Sequence, residues 1–196
     1  MALIDMVWTR VPIHSVVIAW LRAERDGYVA QVLPQTGLSQ AQLGQLLDNA
    51  DIEDADENRT RLRLWYRTRS LYVLEIPSDT EWYEVRNLKH QHIVELLAVN
   101  HEAWTDPSDR NELPKVAVRK GKPMRTPLSQ WEPPILWGHT RSGPFTIIEG
   151  NNRLASYAKS GQTDLNMPVF IGLSPIKCSY HLPDQTGPLI RDLLGG

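Results

Sequence analysis

The sequence predicts an α+β fold, and three observations carry that expectation. Residues Ile135–His139 and Phe145–Glu149 are two apolar, β-rich runs around the turn Arg141-Ser-Gly-Pro, which is a hairpin pattern. The second run passes directly into a helical pattern from Asn152 to Lys159, and a further strand pattern follows at Pro168–Leu173. Elsewhere strands and helices do not alternate as regular β-α-β units, which argues against a doubly wound parallel sheet.

The remaining elements follow in order. Ser15–Arg25 reads as a helix that stops before Gly27, with a brief strand expected at Tyr28–Leu33. Ser39-Gln-Ala-Gln42 is a capping-box pattern that opens a helix with Leu43, Leu46 and Leu47 on one face. Asp48–Glu57 carries six acids in ten residues and is expected to be a solvated loop, since a calcium loop's glycine and spacing are absent. Residues 60–88 read as a β-meander with strands Thr60–Thr68, Ser70–Ile76 and Glu81–Leu88. Leu88–Asn100 reads as an amphipathic helix. Residues 105–134 carry six prolines and read as loop around one strand, Lys115–Arg119. A short helix is expected at Pro188–Leu194.

Composition bounds the function. The chain has 196 residues, 41% hydrophobic and 22% charged, values of an ordinary globular domain rather than a disordered or fibrous one. The expected division is a helical and meander part at 1–104 packed on a core at 105–196, as one compact unit. The net charge of −2 supplies no bulk field for nucleic acid or anionic lipid, so such binding must come from local patches. One cysteine, Cys178, allows no internal disulfide and fits a reducing compartment. The first ten residues lack a secretion-signal pattern, and the longest apolar run, Val16–Leu21, is about a third of a membrane span. A cytoplasmic protein without an integral membrane segment is the expectation.

The segment richest in chemistry is Phe145-Thr-Ile-Ile-Glu-Gly-Asn-Asn-Arg-Leu-Ala-Ser-Tyr-Ala158. Gly150 permits a sharp turn and a close approach of ligand to backbone. The helix start beyond it offers unpaired N–H groups at the positive end of a dipole, a seat for phosphate. Arg153, one turn in, can clamp a phosphate oxygen, and Glu149 can hold a magnesium ion or orient a water. The competing reading is a helix capped by asparagine with Arg153 paired to Glu149 for structural reasons.

Glu149-Gly150-Asn151-Asn152-Arg153-Leu154, followed by Ala155 and Tyr157, resembles the Gly-x-His-Arg helix start of the ParB/sulfiredoxin superfamily. The resemblance covers roughly residues 116–173. It implies a ParB/sulfiredoxin-like mixed sheet with helices, and phosphate binding at Gly150, Asn151, Asn152 and Arg153. It also implies ATP as ligand or substrate, Mg2+ or another divalent cation at Glu149, and ATPase or DNase activity. Two departures bear on this. Asn151 stands where sulfiredoxins carry a cysteine, which argues against thiol-based reduction. Asn152 replaces the family's histidine and keeps an amide but no proton-transfer group. No helix-turn-helix reader or dimerisation tail of a partition protein follows, and at this size the chain is similar to the Osa-type fertility-inhibition proteins. That likeness implies suppression of conjugative or T-DNA transfer, with a type IV secretion component as partner and peripheral placement at the inner membrane. The alternatives are a non-catalytic inhibitor or antitoxin-like binding module, or a small-molecule kinase of the same fold.

Other candidates complete the reading. His139, on the strand expected to pair with Phe145–Glu149, is a candidate acid or base in place of the missing imidazole. Ser174, Lys177 and His181 are candidates for the same mouth. Two basic patches are candidate nucleic-acid contacts. One is the strand face Arg61, Arg63, Arg67 and Arg69 with Trp65 among them. The other is the 110–125 loop, where Arg119, Lys120, Lys122 and Arg125 belong to six cations against one carboxylate. The first has an ordinary alternative as a wet sheet face paired with the acidic loop.

Overall fold

In a computed structural model, residues 6–99, 104, 111–124, 127–162, 167–176 and 178 are described. Five strands form one mixed sheet: β1 (Trp8–Val11), β2 (Glu81–Val85), β3 (Ile135–Gly138), β4 (Thr146–Glu149) and β5 (Val169–Leu173). Their order is β1-β2-β5-β3-β4, so strands from both ends of the chain share the sheet. The β3–β5 pair is parallel and the other pairs are antiparallel. The principal helices are α1 (Ile13–Ala23), α2 (Gln40–Asp48), α3 (Ala55–Val73), α4 (Leu113–Lys120) and α5 (Asn151–Ser160). The fold is mixed α+β, as the sequence pattern predicts.

Strand parity explains the layering. Side chains alternate across a sheet, so neighbours on one strand enter different cores. Ile135, Trp137, Ile148 and Phe170 pack with Val17, Trp20, Leu47 and Leu64 of the N-terminal helices. Leu136, Ile147, Val169 and Ile171 pack on the opposite face with Leu113, Ala117, Leu154 and Tyr157. Each such buried side chain contributes about 1.5–3 kcal/mol relative to an exposed one. Helices α4 and α5 touch closely where Gly121 follows α4. A Cβ there would lie 2.4 Å from the Ala117 carbonyl oxygen and 2.8 Å from that of Ala155.

The hairpin β3–β4, the helix after it and β5 stand where their patterns place them, and Ser39 and Gln42 form the capping box of α2. The first helix starts two residues early, at Ile13. Tyr28–Leu33 is helical rather than extended, and only Glu81–Val85 of the expected meander is a strand. Thr60–Thr68 and most of Ser70–Ile76 belong to α3. The acidic run supplies the start of this helix: Asp54 Oδ1 accepts the backbone N–H groups of Asp56 and Glu57, each at 2.9 Å. Lys115–Arg119 is also helical, because Leu113, Val116 and Ala117 share a buried face at spacings of three and four. Among the described residues of Leu88–Asn100 only His90–Ile93 is helical, while Leu97 bridges to Glu112 and Thr146. The expected C-terminal helix lies outside the described residues. Among the described residues no helix is long and apolar enough to cross a membrane.

The helical geometry of α3 dissolves the expected basic strand face. Arg61 is fully buried: Nε donates to the Leu46 carbonyl at 2.7 Å, and Nη1 donates to the Asp51 carbonyl and to Asn58 Oδ1. Its remaining nitrogen pairs with Glu57. Trp65 is also buried, edge-on against Trp20. Arg63 and Arg67 alone of that set face solvent, with Arg67 donating to the Gln35 carbonyl. Removing one partner of a buried charge network leaves the others desolvated and unmatched. Arg61→Ala is therefore expected to destabilise the fold by about 3 kcal/mol, measured by urea unfolding. A loss below about 1 kcal/mol, the scale of an exposed pair, would contradict this account of α3.

Candidate functional site

Strand β4 ends at Glu149, and Gly150 reverses the chain into α5. Gly150 has φ +96°, a left-handed conformation, and a Cβ there would stand 3.1 Å from Pro134 Cβ. Glycine meets both demands. No side chain caps the ten-residue helix that follows. Its N-terminal end opens into a cavity of about 490 Å³ lined by Trp20, Glu24, Tyr28, Arg69, Trp104 and residues 148–153. That volume lies in the range of small-molecule sites.

Two carboxylates and two guanidiniums meet there. Arg153 Nη2 donates to Glu149 Oε1 at 3.0 Å, and Nη1 donates to the Glu132 carbonyl at 2.5 Å. Arg69, at an interruption in α3, pairs with Glu24 just beyond α1, and its guanidinium lies 3.8 Å from the centre of the Tyr28 ring. Burial raises the pKa of the Glu149 carboxyl, and the Glu24 charge adds to that, against the lowering influence of Arg153 and Arg69. Burial likewise raises that of Glu132. Trp20, 1% exposed, also lines the cavity, and its Nε1–H has no hydrogen-bond partner among the described residues.

The motif residues divide by role. Asn151 is buried and committed to the fold: Oδ1 accepts the Val99 N–H and Nδ2 donates to the Ile147 carbonyl, both at 3.0 Å. Its side chain therefore braces the turn rather than presenting a free amide. Asn152 is exposed at the helix start and lines the cavity. Glu149, Gly150, Asn152 and Arg153 are brought together as the sequence suggests, with the Arg153–Glu149 pair that the structural reading also expects.

His139 is not brought to them. Ile135 pairs with Glu149 and β3 runs antiparallel to β4, so His139 lies four residues away, roughly 13 Å along the strand. There its Nδ1 lies 3.0 Å from the Ser174 carbonyl, and the ring packs edge-on against Trp137. Ser174 sits at that same far end, hydrogen-bonded to Asp79 at 2.6 Å. Lys177, His181 and Arg125 lie outside the described residues. Arg119 reaches the cavity's surroundings by donating to the Trp104 carbonyl at 3.1 Å, while Lys120 and Lys122 are exposed beside α5. Sequence reasoning did not place Glu24, Tyr28, Trp20 or the pairing of Arg69 in this site. Among the described residues no group of three or more His, Cys, Asp or Glu side chains is placed to hold a metal ion.

Compared with known proteins, the chain matches no family model, no curated protein and no solved structure.

The raised Glu149 pKa fixes a sign for pH dependence. The folded state holds this proton more tightly than the unfolded state, whose glutamate titrates at its ordinary value of 4.5. The stabilisation from that proton is complete below this value and is lost as pH rises towards the folded-state value. Wild-type stability measured relative to Glu149→Gln should therefore fall as pH is raised from about 4 to about 8. A rising difference would show a carboxylate stabilised by Arg153 more than it is penalised by burial.

Proposed function

We propose that the cavity at the β4–α5 junction binds the phosphate of ATP or DNA and supports hydrolysis of a phosphoanhydride or phosphoester bond. The observation that carries this reading is the convergence of Arg153, Arg69 and an uncapped helix N-terminus on one cavity. All three favour an oxyanion. The resemblance of Glu149–Arg153 to the ParB/sulfiredoxin helix start supports the same reading, including a sheet of that superfamily and a role in suppressing DNA transfer through a type IV secretion channel.

In this reading Arg153 and the backbone N–H groups after Gly150 hold phosphate oxygens, and Asn152 adds an amide contact. Glu149 lies at the edge of the phosphate seat, where a carboxyl retaining its proton donates a hydrogen bond and an ionised one orients water. A magnesium ion carried on nucleotide phosphates would take Glu149 as its protein ligand and neutralise phosphate charge. The exposed Arg63, Arg67, Lys120 and Lys122 remain available for a longer polyanion's backbone. A second reading, a non-catalytic protein-binding module, draws on one observation: both cavity guanidiniums are already paired within the chain.

The test is ATP binding and turnover with magnesium, together with nicking of supercoiled DNA. Arg153→Ala should weaken nucleotide binding by about 1.5–3 kcal/mol, the scale of a charged hydrogen bond. Asn152→His should raise any hydrolytic rate by restoring a proton-transfer group. Absence of both turnover and nicking in the wild type would favour the binding-module reading.

A further inference from the structure

The cavity is assembled from two separate stretches of chain. One wall is the β4–α5 turn with Glu149 and Arg153, and the other comes from α1 and α3 with Trp20, Glu24, Tyr28 and Arg69. We infer that Arg69 is a second phosphate ligand of this site, and that the site takes a terminal phosphoryl group in preference to an internal phosphodiester. This rests on the phosphate reading above and names the ligand chemistry within it.

Each guanidinium is held by one carboxylate in a partly dry setting. Side-chain exposure is 18% for Arg69 and 13% for Glu24, and 21% for Arg153 and 16% for Glu149. The four charges balance, so an entering anion must draw the guanidiniums away from their carboxylates. An internal phosphodiester brings one negative charge to two cations. A terminal phosphoryl group brings nearly two, with three acceptor oxygens, and can satisfy both forks together. Tyr28 beneath Arg69 holds that guanidinium by its face.

A second observation points to a ligand in the same space. The Trp20 indole lines the cavity at 1% exposure, and its N–H has no partner among the described residues. A buried donor of this kind, placed beside a cavity, is satisfied by ordered water or by an acceptor on a bound molecule.

A terminal phosphoryl group belongs to a free nucleotide and equally to a 5′-phosphorylated DNA end. Calorimetric titration should use ATP, AMP, and one short single strand with either a 5′-phosphate or a 5′-hydroxyl. The proteins are wild type, Arg153→Ala, Arg69→Ala and Glu24→Gln. The phosphorylated strand, the nucleotides or both should bind, and the 5′-hydroxyl strand should bind about tenfold more weakly or worse. Nucleotides alone would identify a free nucleotide as the source, and the phosphorylated strand alone a DNA end. Arg69→Ala should weaken binding about tenfold or more. Glu24→Gln keeps the side chain's shape, frees Arg69 from a charged competitor and should tighten binding severalfold. That gain requires a folded protein, so it decides the matter even where Arg69→Ala does not fold. Arg69→Ala and Glu24→Gln binding like the wild type, with Arg153→Ala impaired, would overturn the Arg69 assignment and leave the phosphate reading standing. Binding of both strands with equal affinity would overturn the preference for a terminal phosphoryl group. Binding of no probe would overturn both readings.

Discussion

A carboxylate placed at the end of β4, largely out of water, is the constraint around which this molecule is arranged. Burying an ion costs several kcal/mol unless a partner and hydrogen bonds compensate. Arg153 supplies both for Glu149 from one turn into α5, and it is tied in turn to the Glu132 carbonyl. That geometry requires the chain to reverse at once, which Gly150 permits with its left-handed backbone. Asn151 then locks the turn to Val99 and Ile147. The Glu24–Arg69 pair repeats the arrangement from the N-terminal layer. Beside the apolar core that joins the N-terminal helices to the sheet, the two layers thus also meet at a charge-balanced seam.

Such a seam has a chemical consequence. Arginines already paired inside a protein are restrained, so a ligand that takes them over loses less side-chain entropy than one recruiting free surface cations. The same pairs hold the cavity near neutrality and set a threshold against weak anions. Selectivity then comes from the charge and oxygen count of the entering group, because only a strong acceptor can replace a carboxylate on a guanidinium.

Local patterns carried much of the fold. The hairpin β3–β4, the Gly150 turn, α5 and the α2 capping box depend on neighbours in sequence, and they were legible there. Helix α3 was not, because its buried stripe runs through Asn58, Arg61, Leu64, Trp65 and Thr68, and three of those five are polar. Counted as surface residues, they mimic the alternation of a strand. The misplacement of His139 has a different cause: strand pairing was anticipated, but antiparallel register sends its end away from Glu149. Glu24 and Arg69 stand 45 positions apart and Arg69 and Arg153 further still, so nothing in local spacing signals that one cavity gathers them. The motif thus revealed half of the candidate site, and the tertiary fold supplied the other half.

The central claim is that this cavity seats phosphate oxygens, and nuclear magnetic resonance of the 15N-labelled chain during titration with ATP tests it most directly. The account predicts saturable shifts of the backbone amides of Asn151, Asn152 and Arg153, together with the Trp20 indole N–H, as each donor acquires an acceptor. Saturable shifts confined to residues remote from the β4–α5 turn, or no saturable shift at those four groups, would contradict it.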